Sequence, residues 1–295
     1  MIVPRVVVVT RPTELEAALA RHGTAGQARF FLEQRGQSLS ELRERQSSQD
    51  EAVRLVLAAI PAEWRRVRVA RDDLPTFLFE PEDIVVPIGQ DGLVANVARY
   101  LDGQVVIGVN PDPDRYDGVL ARHGPGSLGQ VMAAAADRRL ECEERTMVLA
   151  RVDDGQELPA LNEIYVGHRT HQSARYVLRW NGQVERQSSS GVIVATGTGA
   201  TGWARSISAE RRSAVKLPAP EDAELVFFAR EAFPSVATGT SLTAGVIEKG
   251  AAVTVECELT EGGVVFGDGI ESDSIALAWG QRVVIERADR VLRLG

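Results

Sequence analysis

The sequence predicts an α/β plus all-β protein, and three observations predict it. Apolar runs alternate with helical patterns through the first half of the chain, and short strand-like runs between tight turns fill the second. The run Ile84 to Ile88, in turn, lacks the polar alternation of a half-exposed strand. Such a run suits a strand buried on both faces of a parallel sheet in a three-layer α/β domain. The expected division is 1-142 for the α/β unit and 143-295 for a β-rich, sandwich-like unit, whose last residues are candidates to return to the first.

Taken in order, Arg5 to Thr10 reads as a buried strand, and Thr13 with Glu16 makes a capping box for a helix through Arg21. Thr24 with Gln27 and Ser48 with Glu51 repeat that signature. The second of these predicts a helix start at Ser48, with Val53, Leu55, Val56, Ala59 and Ile60 along one side before Pro61 stops it. Arg66 to Ala70 is a short strand. After the Ile84 run, Leu93 to Leu101 continues as a helix, and Gln104 to Asn110 is a further strand ending in a polar turn. From about Glu143 the rhythm shortens. Ala174 to Trp180 and Gln183 to Gln187 flank Asn181-Gly182, a strong hairpin signal. Strands are expected at 161-167, 191-195, 225-229, 252-259, 274-278 and 283-286, with a helix over 201-212.

Composition bounds the class. Of 295 residues, 44% are hydrophobic and 25% charged, the balance of a soluble globular protein with a substantial core. No apolar run reaches a membrane span, and the start enters a strand pattern without the order of a signal peptide, so a cytoplasmic protein is expected. Cys142 and Cys257 are far apart in strand-like contexts and read as reduced thiols. A formal charge of −8 argues against broad nucleic-acid or anionic-membrane binding. Lys216 and Lys249 are the only lysines, so no Walker-type phosphate loop is present, and any phosphate must meet backbone amides, arginines or a metal ion.

Four stretches could carry chemistry. Gly89-Gln90-Asp91-Gly92 ends the buried strand in a glycine-flanked acid, placing Asp91 where α/β sheets bind ligands, with turn amides able to converge on a phosphate. Its plain alternative is an ordinary Asp-Gly turn. Ser188 to Trp203 runs from a strand into Thr196-Gly197-Thr198-Gly199-Ala200-Thr201-Gly202, whose amides and hydroxyls suit anionic or ribose oxygens, with Trp203 able to stack on a base. A flexible loop beside a buried tryptophan is the alternative. Asn162-Glu163 offers donor and acceptor together. His168 and His171 stand three apart, a spacing that on a strand does not bring both to one metal, and a solvated loop is the better reading. Asp268 reads as a hairpin turn, and Glu141, Glu143 and Glu144 as a solvated charge run.

In order, these stretches resemble the NAD kinase family, and within it the mitochondrial-type branch, over nearly the whole chain. Gly89-Gln90-Asp91-Gly92 stands where the family has Gly-Gly-Asp-Gly. Gly108-Val109-Asn110 with Asp112-Pro113 looks like its second sheet turn, and Ala160-Leu161-Asn162-Glu163 matches its Asn-Glu motif. Ser189-Ser190-Gly191 leading into Thr196 to Gly199 and Trp203 resembles the branch's ribose and base loop, as does the helical insert between Thr24 and Ile60. The resemblance implies an NAD kinase/diacylglycerol kinase-like fold and an enzyme that phosphorylates the 2′-hydroxyl of the adenosine ribose of NAD to give NADP, with ATP as donor. In that reading Asp91 orients and deprotonates the hydroxyl, Gly89, Gln90 and Gly92 lie by the phosphates, and Asn110 ends the second turn. Asn162 and Glu163 hold NAD, while Ser190, Thr198, Gly199, Thr201 and Trp203 line the loop around it. A magnesium ion is implied, held mainly by nucleotide and water rather than by protein ligands, and so is a homodimer or homotetramer. Gln90 and Leu93 depart from the family's glycine and threonine. Two other readings stay open: a kinase of another small molecule or lipid in the same superfamily, and a catalytically silent dinucleotide-binding protein.

Overall fold

The computed structural model describes residues 3–295; Met1 and Ile2, at the head of the opening run, lie outside the described residues. The chain divides into two compact units, one ending at Cys142 but including Arg293–Gly295, the other Glu143–Leu292.

The first unit contains β1 (Arg5–Thr10), α1 (Glu14–His22), α2 (Ala25–Glu33), α3 (Leu39–Ala59), β2 (Arg65–Ala70), β3 (Ile84–Pro87), α4 (Asp91–Ala98), β4 (Val105–Val106) and α5 (Leu128–Ala136). Its strands run parallel in the order β2-β1-β3-β4, and Arg293 and Leu294 add a parallel pairing beside β4. The ladder of β4 is short, yet the Ile107 and Val109 amides still donate to Val85 and Pro87, carrying the extended chain to Asn110. Val6, Val8, Ile84 and Val86 pack with Val56 of α3 and Met132 of α5. Their neighbours Val7, Val9 and Val85 point to the opposite face and are equally buried. Both faces being covered is the reason these strands carry no polar alternation.

The Thr13 box forms in both directions, the Glu16 amide donating to Thr13 Oγ1 and the Thr13 amide to Glu16 Oε2. Thr24 caps α2 through the Gln27 amide. The Ser48 signature does not start a helix. α3 begins at Leu39 under the cap of Ser38, and Ser48 lies inside it with its hydroxyl donating to Glu44 O. Leu39 and Leu42 are buried with Leu32 against Leu15 and Ala18, and that burial extends the helix back past the local cap signal.

The second unit contains β5 (Glu143–Val152), β6 (Glu157–Ala160), β7 (Glu163–His168), β8 (Ala174–Trp180), β9 (Gln183–Ser189), β10 (Val192–Ala195), α6 (Trp203–Arg211), β11 (Leu225–Ala229), β12 (Ala244–Ile247), β13 (Ala252–Cys257), β14 (Gly263–Gly267), β15 (Ile275–Leu277) and β16 (Arg282–Leu294), which belongs to this unit up to Leu292. One antiparallel sheet has the order β12-β11-β10-β7-β14-β15; β16-β13-β8-β9, with β5 and β6, lies in the other. Val166, Val194 and Phe227 of the first meet Tyr176, Val255 and Ile285 of the second in one core, the interior of a β-sandwich. Asn181 and Gly182 both have positive φ, as the two-residue hairpin between β8 and β9 requires. Of the charge run, Glu141 and Glu144 are exposed, while Glu143 opens β5 and its carboxylate pairs with the buried Arg145. Cys142 and Cys257 are free thiols.

Arg5 grips Asp83 with two parallel bonds, Nε to Oδ1 at 2.8 Å and Nη2 to Oδ2 at 2.6 Å, and the Asp83 side chain is fully buried. Asp83→Ala removes both bonds, leaving the guanidinium to Glu80 and the Leu78 carbonyl, and is expected to cost about 3 kcal/mol in urea unfolding. A loss below about 1 kcal/mol would show the pair to behave as a surface ion pair.

Candidate functional site

In the first unit the chain leaves β3 through Ile88 and Gly89, whose amides donate to Val9 O and Val109 O, and Gln90 then stands as the cap residue of α4. Asp91 is the first helical residue. Its Oδ1 accepts the amides of Leu120 and Ala121, both at 2.9 Å, and its Oδ2 that of Val119 at 3.0 Å. Asn110 grips the same loop: its Oδ1 accepts from the Asp112 amide and its Nδ2 donates to Tyr116 O. Gly108 lets the loop come close, since a Cβ there would lie 2.3 Å from Leu120 O. Asp91 and Asn110, from neighbouring strand ends, thus clamp residues 111–121.

Gln90 makes no capping bond and lines a cavity of about 430 Å³ with Gly89, Arg11, Arg45, Arg71 and Tyr116. Among the described residues Arg11 has no acidic partner. Arg45 pairs with Glu14, but its Nε is buried without a bond, and Arg71 leans on Asp72. The cavity therefore collects unspent donors, the chemistry of a site for an acceptor-rich ligand. Gly92 is exposed and a Cβ would meet nothing, so its smallness leaves the helix terminus open rather than serving packing. Leu93 is buried against Gly89 and belongs to the core.

In the second unit Asn162 precedes and Glu163 opens β7, beside Thr196, which follows β10. Thr196 Oγ1 donates to Leu161 O at 2.6 Å, the Thr196 amide donates to Asn162 O at 2.9 Å, and the Gly199 amide returns to Thr196 Oγ1. A Cβ at Gly199 would stand 2.1 Å from Asn162 O, and one at Gly197 1.8 Å from Ala219 O. These glycines are there because backbone meets backbone, and the loop is locked, against the flexible-loop alternative. Thr198 is buried with its hydroxyl 3.4 Å from Arg145 Nη1, while Thr201 is exposed and donates to Thr198 O.

Trp203 opens α6 and lies nearly parallel to Tyr165, with ring centres 6.0 Å apart; the Arg230 guanidinium sits 4.7 Å over the indole. Tyr165 occupies a slot that Cβ atoms at Gly167 and Gly191 would close, and its hydroxyl donates to Ser190 O. Ser190, at the far end of β10 from Thr196, is joined to the site through this aromatic bridge. Arg145, Tyr165 and Arg230 carry no sequence signal that sets them apart. Asp268 does more than turn a hairpin: its Oδ1 accepts the Asn162 amide at 2.6 Å and its Oδ2 the Leu161 amide at 3.1 Å. His168 is buried in β7 with Nδ1 bonded by the Thr170 amide, which corrects the solvated-loop reading for that residue, while His171 lies exposed outside the strand; the His168 side chain fills space beside Gly262. Among the described residues no group of three or more His, Cys, Asp or Glu could hold a metal ion.

Burial, and then the charge of Asp268, push the Glu163 carboxyl from its ordinary 4.5 up to about 7. Among the described residues neither the Asn162 nor the Glu163 side chain makes a hydrogen bond or ion pair, so both are available to a ligand.

These features define a two-unit fold, α/β joined to a β-sandwich, with a clamped acid in the first unit and a locked Asn-Glu turn in the second. It is the fold of NAD kinases, and the resemblance read from the motifs holds. The chain is 28% identical over 263 residues to the mitochondrial NAD kinase 2 of Rattus norvegicus, covering 72% of this chain and 62% of that protein. To the mitochondrial NAD kinase 2 of Homo sapiens it is 27% identical over 264 residues, covering 72% and 60%. The chain thus spans about three-fifths of the length of the curated relatives it matches. An Archaeoglobus fulgidus NAD kinase crystallised with ATP superposes with a TM-score of 0.60 at 18% identity, over 98% of this chain and 92% of that one. Yeast NADH kinase complexed with NADH gives 0.62 at 14% identity, over 99% and 83%. No family model matches.

Between pH 4.5 and 7 the folded protein holds a proton on Glu163 that the unfolded chain has lost, so this group's contribution to stability falls as pH rises through that window. Glu163→Gln removes the effect. Its urea midpoint should exceed that of the wild type at pH 8 and meet it near pH 4; an equal gap at both values would mean that Glu163 titrates normally.

Proposed function

We propose that this chain is an ATP-dependent NAD kinase, transferring the γ-phosphoryl group to the 2′-hydroxyl of the adenosine ribose of NAD. The observation that carries the reading is the Asp91 carboxylate. A carboxylate offers about four acceptor sites. Three take backbone amides, which hold the group rigid, and the fourth, on Oδ2, is left for a hydroxyl. Phosphoryl transfer needs an aligned nucleophile and compensated charge more than covalent help, and a fixed acceptor supplies the alignment. As the ribose oxygen bonds to the γ-phosphorus, the bond to the bridging oxygen breaks, ADP departs, and the hydroxyl proton passes to Asp91.

The same reading seats the triphosphate at the cavity of Arg11, Arg45 and Gln90 and the open terminus of α4 at Gly92. Asn162 and Glu163 take the ribose and base edges of NAD, and Ser190, Thr198, Gly199, Thr201 and Trp203 enclose it. Magnesium fits this arrangement as an ion carried by the nucleotide and water, since the two carboxylates of the cavity lining, Glu14 and Asp112, are each paired with an arginine. When bound, it supplies charge neutralisation along the phosphates. Support for the substrates comes from the relatives, whose names are NAD kinase 2, and from structural neighbours holding ATP and NADH. A cytoplasmic location and assembly into dimers or tetramers complete the reading; fractionation and light scattering test them.

Purified protein with magnesium, ATP and NAD is expected to make NADP, measured with an NADP-specific dehydrogenase. Asp91→Asn keeps an oxygen for the Leu120 and Ala121 amides but loses the open acceptor, and should lower turnover by roughly 10²–10⁴-fold with NAD affinity nearly unchanged. Retention of a third of the activity would reduce Asp91 to a loop clamp. A wild type that binds NAD yet makes no NADP would leave the silent-binder reading standing.

Gln90 is one of the two departures from the family pattern, and its free amide offers the donor phosphates two N–H groups. Gln90→Ala should raise the KM for ATP about tenfold, the worth of one hydrogen bond to a charged group, without changing the KM for NAD. An unchanged KM for ATP would place the phosphates away from this side chain.

A further inference from the structure

The Leu161-Asn162 dipeptide has every backbone hydrogen-bonding group claimed. Its two carbonyls are held from one side by Thr196, through the hydroxyl to Leu161 O and the amide to Asn162 O. Its two amides are held from the other side by the carboxylate of Asp268. The Asp268 amide in turn donates to Glu163 O at 3.0 Å, so the contact with residues 161–163 runs in both directions. Thr196 is fully buried, and Leu161 anchors the dipeptide in the interior. The side chains of Asn162 and Glu163 alone are left without partners. A segment whose backbone is fully committed while its polar side chains stay unspent is arranged to present those side chains to something else.

We propose that Asp268 is a positioning residue of the dinucleotide site, aiming the Asn162 and Glu163 side chains by clasping the two amides that precede them. Two features separate it from an ordinary turn acid. Its carboxylate reaches back more than a hundred positions, to the two residues that precede β7. Its backbone has φ +54°, in the left-handed region, where residues other than glycine are uncommon and Asn and Asp are the best tolerated. The conformation sends the chain sharply out of β14 into Gly269, itself at φ +69°. An acid in this strained position, instead of the glycine that would relieve it, is accounted for by the side chain's work on the neighbouring strand. The proposal rests on the reading of residues 143–292 as the unit that holds NAD, and adds to it that ligand affinity depends on a residue that need not touch the ligand. A pre-ordered pair of side chains loses less freedom on binding, and the clasp supplies that order.

The backbone conformation allows a clean test, because Asn and Gly both fit a left-handed position. Asp268→Asn keeps one acceptor for the two amides, and Asp268→Gly keeps none. The expected result is graded: NAD Kd by calorimetry without ATP, and NAD KM in the assay, rise about fivefold in Asp268→Asn and twentyfold or more in Asp268→Gly, with kcat within about twofold. Hydrogen exchange adds a readout independent of any ligand. The Leu161 and Asn162 amides should exchange slowly in the wild type and at least a hundredfold faster in Asp268→Gly. A fall in melting temperature with NAD Kd within twofold of wild type in both variants would overturn the proposal and leave Asp268 a turn residue. Equally fast exchange of the two amides in the wild type would overturn it as well. A wild type that binds no NAD is a different failure: it removes the kinase reading, while slow exchange that Asp268→Gly abolishes would still uphold the clasp.

Discussion

The candidate site in the second unit depends on one constraint, the close approach of the Thr196–Gly199 loop to the backbone at Asn162. Gly199 has no room for a methyl group beside the Asn162 carbonyl, and Gly197 none beside Ala219. Once the two backbones touch, Thr196 can satisfy both carbonyls of the Leu161-Asn162 turn, and the first 3-10 turn after β10 closes over it. Trp203 then enters α6 at a fixed place, against Tyr165 and under Arg230. The aromatic slot in turn needs Gly167 and Gly191 bare. A run of glycines that suggests mobility is here a set of steric permissions, each tied to a named neighbour.

The first unit solves a similar problem with a carboxylate. Asp91 draws three successive amides of residues 119–121 onto its two oxygens, while Asn110 holds the near end of the same loop. Asp268 does for two amides in the second unit what Asp91 does for three in the first. Amide N–H groups that converge on a carboxylate compensate its charge. That suits a chain with two lysines and a formal charge of −8, many of whose arginines are engaged in ion pairs at the surface.

What was legible in the sequence was local. The unalternating valines of β1 and β3, the Thr13 capping box and the Asn181-Gly182 hairpin each declare themselves within a few residues, because their causes act over a few residues. Ser48 misled because a correct local signal was overruled by burial of Leu39 and Leu42 against other helices. β5 was hidden by charge: Glu141, Glu143 and Glu144 read as a solvated run, and the pairing with Glu143 helps make the buried Arg145 tolerable. The motifs placed Asp91, Asn162 and Glu163 at their strand ends. No motif tells that Asp91 is occupied by a distant loop or that Asp268 grips Asn162, since those partners are separated by tens of residues or more and meet only through the sheet order. Asp-Gly looks the same whether its carboxylate faces water or another strand.

The elevated Glu163 carboxyl makes the site an exchanger of protons. With its midpoint at about 7, protonated and ionised forms are comparably populated near neutrality. A ligand that donates a hydrogen bond to this carboxyl selects the ionised form and releases a proton to the buffer, whereas one that offers an acceptor selects the protonated form and takes a proton up. The heat of binding such a ligand would then include the ionisation heat of whatever buffer is present, and its affinity would shift with small changes in pH around neutrality. One half-buried glutamate beside one aspartate is enough to link ligand occupancy to the acidity of the surroundings.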